Sequence, residues 1–344
     1  MTTRVTVVLP CRNEARYIGP CLDSILAGAH PADFLEVLVV DGQSTDGTRK
    51  RVAEYAAAHS QIRLLDNPKR IVPMALNTGI REATGDVIVR MDAHVVYPPE
   101  YIPRLVAALA ETGADNVGGC MITLPADGTA VAQAIAIGLG HPFGVGNAHF
   151  RLGAREQRYV DTVPFGCFPR DVFRRIGLFD EEMVRNQDDE FNNRILRHGG
   201  RVLLVPDVVC YYYARGSLGQ LARMFYQYGA FKPLAARKAG RIMTLRQLVP
   251  AAFVTGLLGS AAAALIWHST IWITVAIAGT YAAAVLACAL RVARSHGARC
   301  AVALTAVFPV VHFSYGIGFL RGLWAGLTGH RGRWRDPAAV PLSR

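Results

Sequence analysis

From Gln247 to Leu290 the chain carries no Asp, Glu, Lys or Arg, and its only strongly polar interruption is His268-Ser269-Thr270. Two spans of roughly 20 residues fit inside it, each about the length needed to cross a bilayer. Cys300–Leu320 is a third apolar segment, broken by Pro309 and holding His312. Arg237, Lys238, Arg241 and Arg246 precede the first span, and Arg291, Arg294 and Arg299 follow the second. By the bias of positive charge toward the cytoplasm, both ends of that hairpin are expected there. The tail Arg331-Gly332-Arg333-Trp334-Arg335 is basic too, which conflicts with a third full crossing. The last segment is then either re-entrant or interfacial, or the tail departs from the rule.

Charge is divided sharply along the chain. Residues 1–214 hold 22 Lys+Arg against 25 Asp+Glu, whereas residues 215–344 hold 15 Lys+Arg and one acid, Asp336. The net charge of +11 therefore resides in the most apolar region. That combination suits an anionic membrane surface and argues against a nucleic-acid partner. The seven cysteines are scattered, with no CxxC and no Cys/His cluster, so neither a disulfide framework nor a zinc site is indicated. The first apolar run, Val5–Pro10, is strand-sized and leads into Arg12-Asn13-Glu14, unlike a cleavable signal peptide. The N-terminus is expected to stay in the cytoplasm.

The first 115 residues alternate short apolar runs with amphipathic stretches, the pattern of a parallel sheet with crossover helices. Strands are expected at Val5–Leu9, Leu35–Val40, Ile62–Leu65 and Asp86–Met91, with helices at Tyr17–Gly28, Thr48–His59 and Ile71–Ala83. From about Ala114 the pattern becomes mixed: strand-like Asn116–Thr123, Tyr159–Phe168 and Val202–Val209, with a charged helix inside Phe179–Gly199. No polar linker interrupts this half, so residues 1–214 are read as one domain. Residues 215–246 are expected to form amphipathic interfacial helices, 247–327 a transmembrane region of two to three helices, and 328–344 a basic tail.

Ligands of open α/β sheets bind outside the carboxyl ends of the strands, so Asp41, Asp66 and Asp92 are expected along one edge. Asp92 and His94, two apart on an extended segment, point to one side and can reach one ligand. A nucleotide-sugar presents a base, a ribose and a diphosphate. Carboxylates can hydrogen-bond the first two, an acid/His pair can hold a divalent cation against the third, and a base must deprotonate the acceptor hydroxyl.

Pro10-Cys11-Arg12-Asn13-Glu14, Asp41-Gly42-Gln43-Ser44-Thr45-Asp46-Gly47-Thr48, Ala75-Leu76-Asn77-Thr78-Gly79-Ile80 through Gly85-Asp86, and Asp92-Ala93-His94 together resemble family 2 glycosyltransferases of the GT-A fold. Asp161-Thr162-Val163-Pro164-Phe165-Gly166, Arg185-Asn186-Gln187-Asp188-Asp189-Glu190-Phe191 and Gln227-Tyr228-Gly229-Ala230-Phe231-Lys232 are most similar to the succinoglycan-biosynthesis glucosyltransferase group. The resemblance spans roughly residues 4 to 235. It implies an α/β fold, a GT-A Rossmann-like mixed sheet with flanking helices, followed by the C-terminal helical region. It also implies that Asp41 contacts the nucleobase, that Asp92 serves the ribose and the metal-bound diphosphate, and that Pro10, Arg12, Glu14, Asp66, Arg70 and Asn77 complete the nucleotide-sugar set. His94 stands where the family's usual Asp-x-Asp has its second acid, so the divalent cation, Mn²⁺ or Mg²⁺, would rest on Asp92 and His94. An imidazole suits Mn²⁺ better. Asp188 falls at the position of the catalytic base, in a usual Glu-Asp pair that reads Gln187-Asp188 here, with Asp189 as the fallback. Gly166, Asp189, Gln227 and Lys232 are assigned to the acceptor side.

Blander readings stand beside these. Asp41-Gly42 is also a turn signal, Asp46 a helix cap, and Asp188-Asp189-Glu190 an ordinary helix face with Arg194 as an i+4 partner. His312 suits a helix-packing hydrogen bond as well as a polar role. The reading that accounts for the whole set is an inverting transferase at the plasma or inner membrane, multi-pass, with its catalytic domain cytoplasmic. It would move a sugar from a nucleotide-diphosphate donor, a UDP-sugar first, to a lipid-linked saccharide in envelope or exopolysaccharide synthesis. The alternatives are a polyprenyl-phosphate sugar synthase and, outside enzymes, a membrane protein with a regulatory nucleotide-binding domain.

Overall fold

The computed structural model describes residues 3–30, 34–240 and 244–328. The basic tail at 331–335 and the flanking Arg241 lie outside the described residues. β1 (Val5–Cys11) is buried at every position, as a strand covered on both faces must be. α1 (Ile18–Leu26) buries Ile18, Cys21, Leu22 and Ile25, one helical stripe. β2 (Leu35–Asp41), α2 (Thr48–Ala58), β3 (Ile62–Asp66), α3 (Val72–Glu82) and β4 (Val87–Arg90) continue the expected alternation. β1 pairs in parallel with both β2 and β4, and β2 with β3, in a register that sets Cys11, Asp41 and Asp66 side by side at the carboxyl edge.

The second half is built from β5 (Val95–Val96), α4 (Tyr101–Thr112), β6 (Asn116–Leu124), α5 (Ala130–Leu139), the short α6 (Pro142–Val145) and α7 (His149–Leu152), β7 (Arg158–Tyr159), β8 (Cys167–Pro169), α8 (Arg170–Ile176), α9 (Gln187–Arg197) and β9 (Val202–Tyr213). The sheet order is β3-β2-β1-β4-β8-β6-β9-β5, with β7 also on β9. β8 runs antiparallel between β4 and β6, which makes the sheet mixed.

Two strand expectations change. Tyr159–Phe168 is two short strands separated by a loop, because Pro164 has no N–H for a ladder and Phe165 and Gly166 both take positive φ, 62° and 91°. A Cβ on Gly166 would lie 2.5 Å from the Phe168 ring and 2.6 Å from Asn116 Oδ1, so the turn needs glycine. β9 continues past Val209 to Tyr213, its register jumping from Gly119–Val205 to Cys120–Val209 as Pro206–Val208 bulge out.

α10 (Leu218–Ala239), α11 (Leu245–Ala263), α12 (Ile271–His296) and α13 (Ala298–Thr328) complete the chain. Among the described residues, two helical stretches are long and apolar enough to cross a membrane, His268–His296 and Ala298–Thr328. α11, the first expected span, is not one of them. The expected break at Pro309 does not occur: α13 runs through it, braced by the buried Val307, Phe308 and Val311. α10 packs into the fold as well as being amphipathic, burying Gln227 and Lys232 with Leu221, Met224 and Phe231.

Two apolar layers flank the sheet. On one side Val8, Leu38, Leu76 and Phe168 meet Phe173, Phe179 and Phe191. On the other, Val7, Leu9 and Val89 belong to a core that includes Ile135 and Leu139 of α5 and reaches Leu304, Val307 and Phe308 of α13. β9 ends one residue before the expected boundary at 214, and the core is continuous across it.

Candidate active site

β4 ends in Arg90, and the chain then leaves the sheet through Asp92-Ala93-His94. A cavity of about 690 Å³ opens there, between the carboxyl edge of the sheet, the loop 142–151, the start of α9 and the faces of α10, α11 and α13. Pro10, Arg12, Glu14, Arg70, Asp92, His94, Asp188, Asp189 and Lys232 line it as expected. Asp41, Asp66, Asn77, Gly166 and Gln227 do not. Eight basic side chains line it against four carboxylates, so it presents a net positive surface to an anion.

Asp92 is fixed by its backbone N–H, which donates to the Tyr97 hydroxyl at 2.8 Å. Its carboxylate accepts from Arg90 Nη2 at 3.2 Å, and Arg90 Nη1 donates to Asp188. Arg90 is 5% exposed and lies over the Phe165 ring, 5.8 Å from its centroid. One buried guanidinium thus couples the strand-end acid to the first turn of α9, and the two carboxylates hold its own pKa up. Sequence reasoning missed it. The signal was a lone Arg ending the otherwise apolar strand Val87-Ile88-Val89.

His94 sits edge-on to Tyr212 with centroids 5.1 Å apart, and its Nδ1 is 3.0 Å from Glu14 Oε1. A carboxylate at one ring nitrogen orients an imidazole for use through the other, the arrangement found behind metal-ligating histidines. Among the described residues no group of three or more His, Cys, Asp or Glu is disposed to hold a metal ion. Asp92 and His94 are a two-donor pair.

Asp188 and Asp189 differ in their surroundings. Burial deep in the cavity raises the Asp188 carboxyl above its usual range even though Arg90 opposes the shift. Burial works the same way on Asp189, but the charge and hydrogen bond of Lys232 bring it below the usual range. Of the two, Asp188 is the stronger proton acceptor. Glu190 pairs with Arg194 at 2.9 Å, the ordinary i+4 contact expected of a helix face.

The expected residues outside the cavity lining make contacts of their own. Asp41 is fully buried; its carboxylate accepts from Ser44 N–H at 3.0 Å and Ser44 O–H at 2.5 Å, and pairs with Arg49 at 3.1 Å. Asp66 is exposed and meets the same Arg49 at 2.5 Å. Arg49, from the first turn of α2, pairs with both acids, and of the three strand-end carboxylates only Asp92 lines the cavity. Asn77 is buried and its amide bonds Phe179 N–H and C=O at 3.0 and 2.9 Å, tying α3 to the loop before α9. Gln227 Oε1 accepts from Arg185 Nε at 2.9 Å, and Gly166 C=O accepts from Arg90 N–H at 2.9 Å. Asp46 accepts from Thr48 N–H and O–H and from Ala15 N–H, which spends it on the turn into α2. His312 bridges Tyr281 O–H and Phe143 C=O at 2.9 and 2.8 Å, a packing contact.

A family profile described as Glycosyl transferase family 2 matches residues 6–177. Succinoglycan biosynthesis protein ExoA of Rhizobium meliloti is 30% identical over 94% of this chain and 96% of its own length. A dolichyl N-acetyl-alpha-D-glucosaminyl phosphate 3-beta-D-2,3-diacetamido-2,3-dideoxy-beta-D-glucuronosyltransferase of Methanococcus voltae is 26% identical over 94% of this chain and 98% of its own. Among solved structures, a mannosyltransferase of Pyrobaculum calidifontis in complex with GDP-Man and Mn²⁺ superimposes with a TM-score of 0.57 at 24% identity, covering 94% of this chain and 88% of that one. The latter likeness concerns the GT-A fold.

Proposed function

Because the chain belongs to glycosyl transferase family 2 and is a glycosyltransferase, we propose that it is an inverting enzyme that moves a sugar from a nucleoside-diphosphate donor to a lipid-linked saccharide in envelope or exopolysaccharide synthesis. The observation that carries this reading is the single cavity in which Asp92, His94 and Asp188 share a wall with Arg90 between the two acids. The relatives named for succinoglycan synthesis and for transfer to a dolichyl-linked sugar support the class of acceptor.

Asp188 is the base. It takes the proton of the acceptor hydroxyl as that oxygen bonds to the anomeric carbon and the nucleoside diphosphate departs from the opposite face. Arg90 holds the Asp188 carboxylate in place, and Arg12 and Arg70 offset the charge of the departing diphosphate. Asp92 and His94 fit a divalent cation, Mn²⁺ better than Mg²⁺ given the imidazole, which when bound neutralises the diphosphate oxygens. A UDP-sugar is the donor to assay first, with GDP-sugars beside it, since the solved mannosyltransferase neighbour carries GDP-Man. His268–His296 and Ala298–Thr328 anchor the enzyme in the plasma or inner membrane with the cavity on the cytoplasmic side.

Asp188→Asn is expected to reduce transfer to membrane lipid extracts at least a thousandfold while nucleotide affinity stays within a few-fold. The same assay after EDTA treatment should lose turnover and regain it with Mn²⁺. Transfer that survives Asp188→Asn removes Asp188 as the base, and turnover indifferent to EDTA removes the cation from Asp92 and His94.

A further inference from the structure

The cavity holds a second concentration of positive charge that no step above uses. Arg215, just past β9, lines the cavity and is 5% exposed, and its Nε and Nη1 are buried without a hydrogen-bond partner. A buried guanidinium left in that state is strongly unfavourable, and an anion arriving in the cavity removes the penalty. Arg151 and Arg185 line the same cavity. Arg185 is braced by Gln227, and Arg151 lies over the Tyr212 ring, 5.6 Å from its centroid. Tyr228 lines the same cavity as these three arginines; burial raises the pKa of its hydroxyl, and their charges pull against that shift.

Elsewhere the cavity wall is apolar. Val249, Pro250 and Phe253 of α11 and Val311 of α13 line it, α13 being one of the two stretches long and apolar enough to cross a membrane. A ligand matching both features has a multiply charged anionic head and an aliphatic tail. A guanidinium fork suits phosphate oxygens, and an exposed aliphatic chain suits the wall.

We propose that Arg215, with Arg151 and Arg185, forms an anion subsite for the phosphate or diphosphate head of a lipid acceptor, whose hydrocarbon chain lies against α11 and α13. This rests on the transferase reading and adds to it the place where the acceptor's phosphate is held. The donor's diphosphate is met instead by Arg12 and Arg70, at the β1 end of the cavity.

The test is equilibrium binding to the full chain in detergent, with farnesyl diphosphate, inorganic diphosphate and UDP as probes. Farnesyl diphosphate should bind the wild type at least tenfold more tightly than inorganic diphosphate. Arg215→Gln should weaken it tenfold or more and leave UDP within twofold, and Arg215→Lys should keep most of the affinity. UDP weakened in parallel would mean a donor-phosphate subsite and overturn the proposal. So would inorganic diphosphate binding as tightly as the lipid, or an Arg215→Gln chain indistinguishable from wild type. If Arg215→Gln does not fold, Arg151→Gln is held to the same ratio. A wild-type chain that binds farnesyl diphosphate but turns over no nucleotide-sugar would sink the proposed reaction and leave the subsite standing.

Discussion

Asp188 is pulled two ways, and the balance sets the pH at which it can work. Burial raises its carboxyl, and the charge and hydrogen bond of Arg90 lower it, with a net rise. A general base acts deprotonated, so kcat/KM should fall as pH drops through this raised pKa, at a higher pH than an ordinary aspartate of about 3.9 would give. Arg90→Gln removes the lowering influence and should move that acid limb further up, measurably in a pH–rate profile. An acid limb unmoved by Arg90→Gln would dissociate Arg90 from the base. The Asp188–Asp189 comparison also explains why adjacent acids in one sequence run are not interchangeable: Lys232 commits the second to an ion pair.

At the scale of elements, the contact between α10 and α13 decides the shape of the cavity. A Cβ on Gly318 would lie 2.1 Å from Tyr226 C=O, and one on Gly229 would lie 2.1 Å from Tyr315 C=O, so the two backbones touch where glycine permits it. α10 carries Gln227 and Lys232, which hold Arg185 and Asp189. Gly318→Val should force the helices apart, costing about 1–3 kcal/mol and lowering transfer together with the unfolding temperature. Gly326→Val, on the same helix with nothing within 4 Å, is the control and should change neither. Equal effects from both would make the close approach irrelevant. In sequence this region displays only a charge-free run and a proline, because helix length and apolarity are local properties, whereas the glycine contacts join residues about ninety positions apart.

For the whole molecule, the catalytic sheet and the C-terminal helices share one interior. Ile135 and Leu139 of α5 pack in the same core as Leu304, Val307 and Phe308 of α13. A chain ending at Gly240 would expose that face of α5, and should aggregate in size-exclusion chromatography without detergent. A monodisperse, nucleotide-binding fragment would show that the sheet forms its core alone.

The chain's own pattern determined the alternation of strands and helices through β4, the carboxylates at the ends of β2, β3 and β4, and the apolar C-terminal stretch, because burial period, turn chemistry and helix length are written in neighbouring residues. Its ensemble of motifs also singled out Asp92, His94 and Asp188, which line one cavity. The tertiary structure alone showed that Arg49 pairs with Asp41 and Asp66, neither of which lines the cavity, while Arg90 joins Asp92 and Asp188, which do. It likewise brought Arg151, Arg185 and Arg215 into one cavity with Tyr228. The approach of Arg90 to Asp188 brings the end of β4 to the first turn of α9, beside a sheet in which β8 runs antiparallel between β4 and β6. Arg90 and Asp188, 98 positions apart, meet only through tertiary packing, whereas Arg90–Asp92 and Arg49–Asp41, two and eight positions apart, are near neighbours in the chain.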